Sequence, residues 1–364
     1  MGVTYEDQIL SKERRVHDLL GACDETRWLP TVTSPESGYR NKAKMVVAGT
    51  TDDPTLGILD ENGLGVDLID CGICAPSLRA TFPAIIRAIR QSGLAPYSVP
   101  QRRGDIKYVI VTLSPSGEIM VRFIVRSAEN IPALRGQTSA LMSLRPEIKV
   151  ISVNIQPDHK AVLEGDVEVI LTPQKHLTMS LAGLELRLRP QSFFQTNTAV
   201  AAELYEQVRS WVRQTQPTKI WDLYCGVGGF AFAAAGPNRL VTGVELSKEA
   251  VRSARATAHA TGAGTVTFRS GDSTDFALSA KTRPDLVIVN PPRRGIGSRL
   301  SEWLNDSGIA KIIYSSCNPQ SLRNDLDQLP RYRIREGRVL DMFPNTEHLE
   351  VAVLLEVSPR AADQ

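Results

Sequence analysis

From about residue 185 the chain settles into one rhythm: a short apolar run, a loop, an amphipathic run, then another apolar run. "KIWDLYCG", "RLVTGVEL", "VTFRSGD", "PDLVIVNPP" and "KIIYSS" read as strands, and "HLEVAVLLEV" as a final one. "TNTAVAAELYEQVRSWV" and "SKEAVRSARATAHATG" return an apolar residue every three or four positions, the spacing of a helix, and the second ends on Gly262. "GGFAFAAA" reads as a shorter helix. Strands that are apolar throughout need cover on both faces, and the intervening helices supply it. This half therefore folds as an α/β unit around a doubly wound, mostly parallel sheet.

The first half has a different text. "KAKMVVAG", "TLGILDENG", "IKYVIVTLSPSGEIMVRFIVRS" and "VISVNIQP" are β-rich runs divided by Gly, Pro, Asn and Asp, with "SPSGE" as a hairpin turn. "PAIIRAIRQSGL" is its one amphipathic helix. The expected division is a mainly β domain over 1–180 and the α/β domain over 181–364. Arg40, Lys42, Lys44, Arg102, Arg103, Lys107, Arg122 and Arg126 punctuate the β-rich half. Residues two apart on a strand share a face, so Lys42 and Lys44 point the same way, and such a row suits an RNA backbone. Alternating charge is equally the mark of any half-solvated antiparallel sheet.

No apolar run approaches the roughly 20 residues that span a bilayer. The opening "MGVTYEDQILSKERRV" lacks a signal-type apolar core, so a cytoplasmic protein without a membrane partner, acting as a monomer, is expected. Five cysteines, an odd and scattered set, argue against a disulfide framework. A net charge of +2 does not by itself announce a nucleic-acid binder.

"DLYCGVGGF", Asp222 to Phe230, follows a strand and opens a helix, and Gly226, Gly228 and Gly229 let the backbone turn sharply beneath a ligand. The next strand ends in Glu245, placed to accept both ribose hydroxyls of an adenosine. That spacing fits NAD and S-adenosylmethionine alike. Two features favour the second: the loop reads G-x-G-G rather than G-x-G-x-x-G, and a later strand ends in "VNPPRRG". Asn290 there can meet the methionine part of the cofactor or a target base.

"KIIYSS" is the strand after "DLVIVN", so Cys317 emerges on the same carboxyl-end rim, where ligands of open α/β sheets bind, and Pro319 stops the strand. A thiolate at that rim answers a chemical need. Carbon 5 of uracil is too weak a nucleophile to take a methyl group until a thiolate adds to carbon 6. A base must then remove the carbon 5 proton so that the thiolate can leave. "DMFPNTEHLEVAVLLE" offers Asp341, Glu347, His348 and Glu350 as that base, and the chemistry does not choose among them. Phe343 is a candidate stacking ring, although core packing suits it better.

"QSFFQTN", "DLYCGVGGF", "NPPRRGIG", "YSSCNP" and "DMFPNTEHLE" together resemble the bacterial RNA uracil-C5 methyltransferases, and "GYRNKAKMVV" and "RRGDIKYVIVTLS" extend the resemblance over nearly the whole chain. It implies a Rossmann-like S-adenosylmethionine-dependent domain preceded by an RNA-binding β domain. It also implies a uridine of 23S rRNA, single-stranded or in a loop, as substrate. By that resemblance Cys317 is the nucleophile and Glu350 the base, while Gln195, Tyr224, Glu245 and Asn290 contact the cofactor beside Gly226 and Gly228. Tyr224 stands where the family often has Phe, and Asn290 where the wider family has Asp.

The family also carries a [4Fe-4S] cluster on four cysteines, of which Cys71 in "LIDCGIC" matches the last. The other three would precede "YEDQILSK", where this chain has "MGVT"; Cys74 makes a lone CxxC with Cys71, and Cys23 is unmatched. A complete cluster is not expected. The rival readings are uracil-C5 methylation of tRNA or another rRNA site, and a catalytically silent RNA-binding protein. Arg293 follows Pro-Pro where a cytosine-C5 enzyme wants a second cysteine.

Overall fold

Thr4 accepts a hydrogen bond from the Asp7 amide and starts a helix that the strand-rich pattern did not announce, α1 (Tyr5–Leu20). In the computed structural model, which describes residues 2–21, 26–159 and 162–358, the strand β1 (Arg27–Val32) comes next. Cys23 lies outside the described residues. The chain divides into two compact units, one of residues 1–36, 181–187 and 192–364, the other of 37–180 and 188–191. The expected boundary at 180 is therefore corrected at the N-terminus. Residues 1–36 join the α/β unit because β1 pairs in parallel with one of its strands, as described below.

The β-rich unit holds β2 (Lys42–Gly49), β3 (Pro54–Leu59), β4 (Gly65–Asp67), α2 (Pro76–Arg79) and α3 (Phe82–Ser92). It continues with β5 (Ile106–Leu113), β6 (Ile119–Val125), α4 (Ile131–Leu144), β7 (Ile148–Ile155) and β8 (Val167–Ile170). Its strands form one sheet in the order β4-β3-β2-β5-β6-β7-β8. Every pairing is antiparallel except β6 with β7, which α4 joins as a crossover. That helix and the four-residue α2 are additional to the single helix, α3, expected in this half.

Period-two alternation sends Ala43, Met45, Val47, Val109, Val111, Val121, Phe123, Ile151 and Val153 into a core shared with Phe82, Ile85 and Ile89 of α3 and Leu134 and Leu141 of α4. The opposite face carries the polar residues. Lys44, Ile110, Arg122 and Ser152 lie abreast across β2, β5, β6 and β7. Of the basic row expected to face RNA, Lys44 is exposed but Lys42 and Arg122 are buried. Burial, reinforced by the charge of Arg122, lowers the Lys42 ammonium to about 8. The Arg122 guanidinium forks onto Glu168 at 2.6 and 3.0 Å and reaches Glu164 at 3.0 Å. Ser152 and Asn154 donate to the same Glu168 carboxylate.

A two-stranded ribbon, β9 (Leu177–Leu181) and β10 (Leu184–Leu188), follows. The remaining elements are α5 (Thr198–Thr215), β11 (Lys219–Leu223), α6 (Gly229–Ala234), β12 (Leu240–Glu245), α7 (Lys248–Thr261), β13 (Val266–Ser270) and α8 (Ser273–Ser279). After them come β14 (Leu286–Val289), α9 (Ser298–Asp306), β15 (Lys311–Ser316), α10 (Pro319–Leu326), β16 (Tyr332–Leu340) and β17 (Glu350–Val357). The sheet order is β1-β16-β17-β15-β14-β11-β12-β13. The parallel strands read from the sequence are all present, and Gly262 closes α7 in the left-handed conformation. The final strand is antiparallel to both neighbours, β15 and β16, so the sheet is mixed on that side.

Replacing Arg122 with Met strands two carboxylates, one of them Glu168 at the buried face. The expected loss is about 3 kcal/mol of unfolding free energy in urea titration. A loss below about 1 kcal/mol would mean that Ser152 and Asn154 alone satisfy Glu168.

Candidate active site

The parallel register sets the rim. Leu223 lies beside Val244 and Val289, and Val289 beside Tyr314, so β11, β12, β14 and β15 end together. Tyr224, Glu245, Asn290 and Cys317 leave the sheet at that edge, around the β11–β14 position where the strand order reverses. The antiparallel pairing of β15 with β17 adds the next member. Ser316 lies beside Val351, so Glu350 opens β17 directly across from Cys317.

The glycine loop is strained on purpose. Tyr224 has φ +63, in the left-handed region that side chains avoid, and its amide donates to Ser273 Oγ at 3.1 Å. Gly226 (φ +54) and Gly228 (φ +90) complete the turn; a Cβ on Gly228 would meet Phe268 at 2.7 Å, while one on Gly226 would enter open space. Glu245 is held at the rim by the amides of Gly226 at 3.1 Å and Ser247 at 2.8 Å. The open space over Gly226, bounded by a fixed carboxylate, suits an adenosine with a polar tail. Below it, burial pushes the Asp222 carboxyl well above its ordinary range.

Cys317 is half-buried, so its sulfur reaches the rim without leaving the protein. Burial raises its thiol, the neighbouring Glu350 raises it further, and the Arg293 guanidinium, within hydrogen-bonding reach, pulls it back down. Glu350 is only 2% exposed, and burial pushes its carboxyl up to about 7, against a hydrogen bond from Ser315 Oγ. Of the four bases left open by the chemistry, this is the one beside the thiol. Asp341 is consumed by a buried ion pair with Lys12 at 2.6 Å, Glu347 is exposed and paired with Arg15, and His348 is exposed. Gln195 is buried just ahead of α5, and Phe343 is partly buried with its ring edge-on to His348.

One anchor escaped the sequence reading. Asp325, on α10 and 3% exposed, accepts from the Tyr314 hydroxyl at 2.6 Å and from the amides of Ile296 at 2.9 Å and Gly297 at 3.3 Å. It ties the loop after Asn290 to the strand that presents Cys317, and Asn318 Nδ2 adds a bond to the Arg293 carbonyl at 3.0 Å. The visible signal was "NDL" on an amphipathic helix, which reads as solvent-facing.

A sequence profile described as tRNA (Uracil-5-)-methyltransferase matches residues 4–358. The chain belongs to that family. Among curated relatives, a 23S rRNA (uracil(747)-C(5))-methyltransferase of Cronobacter sakazakii is 45% identical over 96% of this chain and 94% of its own. Its counterpart in Edwardsiella ictaluri is 46% identical over 98% and 94%. A crystal structure of Pyrococcus abyssi tRNA (uracil-54, C5)-methyltransferase in complex with S-adenosyl-L-homocysteine superposes with a TM-score of 0.82 at 25% identity, over 97% of this chain and 83% of that one. The expected family, its α/β fold and RNA uracil-C5 methyltransferase activity thus stand.

The cluster is a different matter. Cys71 and Cys74 sit in one tight turn of the β-rich unit, Cys74 buried and raised to about 11 by that burial and by the Cys71 sulfur beside it. Among the described residues no group of three or more His, Cys, Asp or Glu side chains could hold a metal. Two thiols do not fit a four-thiolate cluster, and nothing in the chemistry at Cys317 calls for one. Cys225 is buried in the core with its thiol raised by burial, the ordinary fate of a cysteine.

Glu350 is costly to keep charged. Because the Glu350 carboxyl is raised in the fold, its favourable protonated state is fully present below the unfolded value and is lost as pH rises through about 7. Glu350→Gln is therefore expected to raise stability by about 3 kcal/mol at pH 8 and leave it nearly unchanged at pH 4. Urea titration at both pH values reads the difference; equal effects at both would remove the charge from the explanation.

Proposed function

We propose that this chain methylates carbon 5 of a uridine in 23S rRNA, with Cys317 as nucleophile and Glu350 as general base. The observation that carries the reading is the register of β15 against β17, which sets a half-buried thiol across from a buried, raised carboxyl. S-adenosylmethionine, when bound, supplies the electrophilic methyl. Gly226, Gly228, Glu245, Gln195, Asn290 and Tyr224 are assigned to hold it. The relatives' shared description as 23S rRNA enzymes supports that substrate over tRNA.

The Cys317 thiolate adds to carbon 6 of the uracil, and the ring electrons move onto carbon 5 and oxygen 4 as an enolate. Carbon 5 takes the methyl group from the sulfonium sulfur, which keeps the bonding pair and leaves as a neutral thioether, and carbon 5 becomes tetrahedral. Glu350 then removes the carbon 5 proton; the electron pair re-forms the 5,6 double bond, the carbon 6–sulfur bond breaks and the thiolate returns. A carboxyl near 7 is a better acceptor for a carbon-bound proton than one near 4. Arg293 supports the thiolate against the like charge of Glu350. A uridine in a stacked helix cannot reach both groups, so the substrate is a loop nucleotide or one turned out of its stack.

Cys317→Ser is expected to abolish methyl transfer to a 23S rRNA fragment while RNA affinity stays within about threefold. A fragment carrying 5-fluorouridine at the target should give a covalent complex stable to denaturation, because fluorine cannot leave as a proton. A folded enzyme that methylates uridine yet traps none of that fragment overturns the thiol scheme. Methylation of tRNA in preference to the rRNA fragment would move the substrate to the rival reading. The rate on uridine RNA should also fall with pH below about 7 as Glu350 takes up its proton.

A further inference from the structure

A closed ring of hydrogen bonds lies behind the rim, and none of its members has a role in the reaction so far described. Lys12 of α1, 3% exposed, donates to Asp341 Oδ1 at 2.6 Å and to the Phe343 carbonyl at 3.1 Å. Tyr5, about two turns earlier on the same face of α1, donates to the other oxygen, Asp341 Oδ2, at 2.8 Å. The same hydroxyl accepts the Ser34 amide at 2.8 Å. Ser34 Oγ in turn accepts from Asn197 Nδ2 at 2.8 Å, and that amide nitrogen also reaches the Met342 carbonyl at 3.4 Å. The Asp341 amide closes the ring onto the Val32 carbonyl at 2.8 Å.

Four pieces of chain meet in this ring. Two carry the reaction: Asn197 caps α5 two residues after Gln195, and Asp341 to Phe343 begin the arm that ends at Glu350. The other two, α1 and the exit of β1, come from the opposite end of the sequence. A lysine and an aspartate with almost no exposure are an expensive way to hold a loop, since desolvation takes back much of their attraction. What they supply that an apolar pair would not is direction: two carboxylate oxygens, each with its own donor, leave Asp341 one orientation.

We propose that Lys12, Tyr5 and Asp341 are positioning residues that hold the Glu350 arm in register for proton removal from carbon 5. The inference rests on the assignment of Glu350 as base. It makes a specific demand on the two halves of the reaction. Thiolate addition depends on Cys317, just past the end of β15, a strand the ring does not touch. Elimination depends on Glu350, at the end of the arm. Loosening the ring should slow the second half and spare the first, so the covalent enzyme–RNA adduct should build up on ordinary uridine RNA. A purely structural role would lower both halves together by reducing the folded fraction.

The test compares Lys12→Met, Tyr5→Phe and Glu350→Gln with the parent protein on a 23S rRNA fragment, S-adenosylmethionine present. The adduct is scored after denaturation and normalised to the folded fraction from circular dichroism. The expected result is adduct build-up in Glu350→Gln and an increase of about tenfold or more in Lys12→Met, with Lys12→Arg returning toward the parent. Should Lys12→Met fail to fold, Tyr5→Phe, which deletes one hydroxyl and no charge, decides the matter by the same measure. Build-up in Glu350→Gln without any in the folded ring variants overturns the positioning role and leaves the base in place. No build-up in Glu350→Gln overturns the base assignment and the positioning role with it.

Discussion

The antiparallel pairing of β15 with β17 is the interaction on which the site depends. Strand β15 belongs to the parallel set and ends at the rim; β17 runs the other way and therefore begins there. One hydrogen-bonded register brings the end of one and the start of the other together, with Cys317 across from Glu350 although 33 residues separate them along the chain. A parallel last strand would have put its first residue at the opposite edge. The reversal of one strand thus creates a thiol–carboxyl pair that a uniformly parallel sheet cannot.

That pair is set against itself. Glu350 raises the thiol, burial raises both, and Arg293 and Ser315 each relieve one side. Two titratable groups that perturb each other in this way at a sheet rim mark a functional-site candidate. Asp325 serves the same end from below: one carboxylate holds the loop after Asn290 and the strand before Cys317 through three donors. In the β-rich unit the comparable device, Arg122 with Glu168 and Glu164, has no rim to serve and reads as scaffold.

Much of the architecture was legible because periodicity survives in isolated segments. The apolar runs at 219–223, 286–289 and 311–316 are buried along almost their whole length, as strands covered on both faces must be. Missed elements share a physical cause. The faces of α1 that matter bury Lys12 and Val16, and a buried lysine breaks the apolar stripe that marks a helix. Helix α4 buries only Leu134 and Leu141, too sparse a signal. Arg122 and Lys42 looked like surface charges because alternation on a strand cannot tell a solvated polar face from a buried one.

What the residues determined unaided were the local facts: strand and helix types, the need for glycine at Gly226 and Gly228, and the chemical reason for a thiol at a strand end. The choice of Glu350 among four candidate bases was different. The chemistry left it open and the family resemblance pointed to it, while the geometry beside it is that Asp341 turns inward to Lys12, Glu347 turns outward to Arg15, and β17 runs antiparallel. Two of these are ion pairs between segments more than three hundred residues apart and the third is a strand direction, all set by packing and register. No pattern along the chain encodes them, because ionic partners and strand direction are chosen only when the layers close.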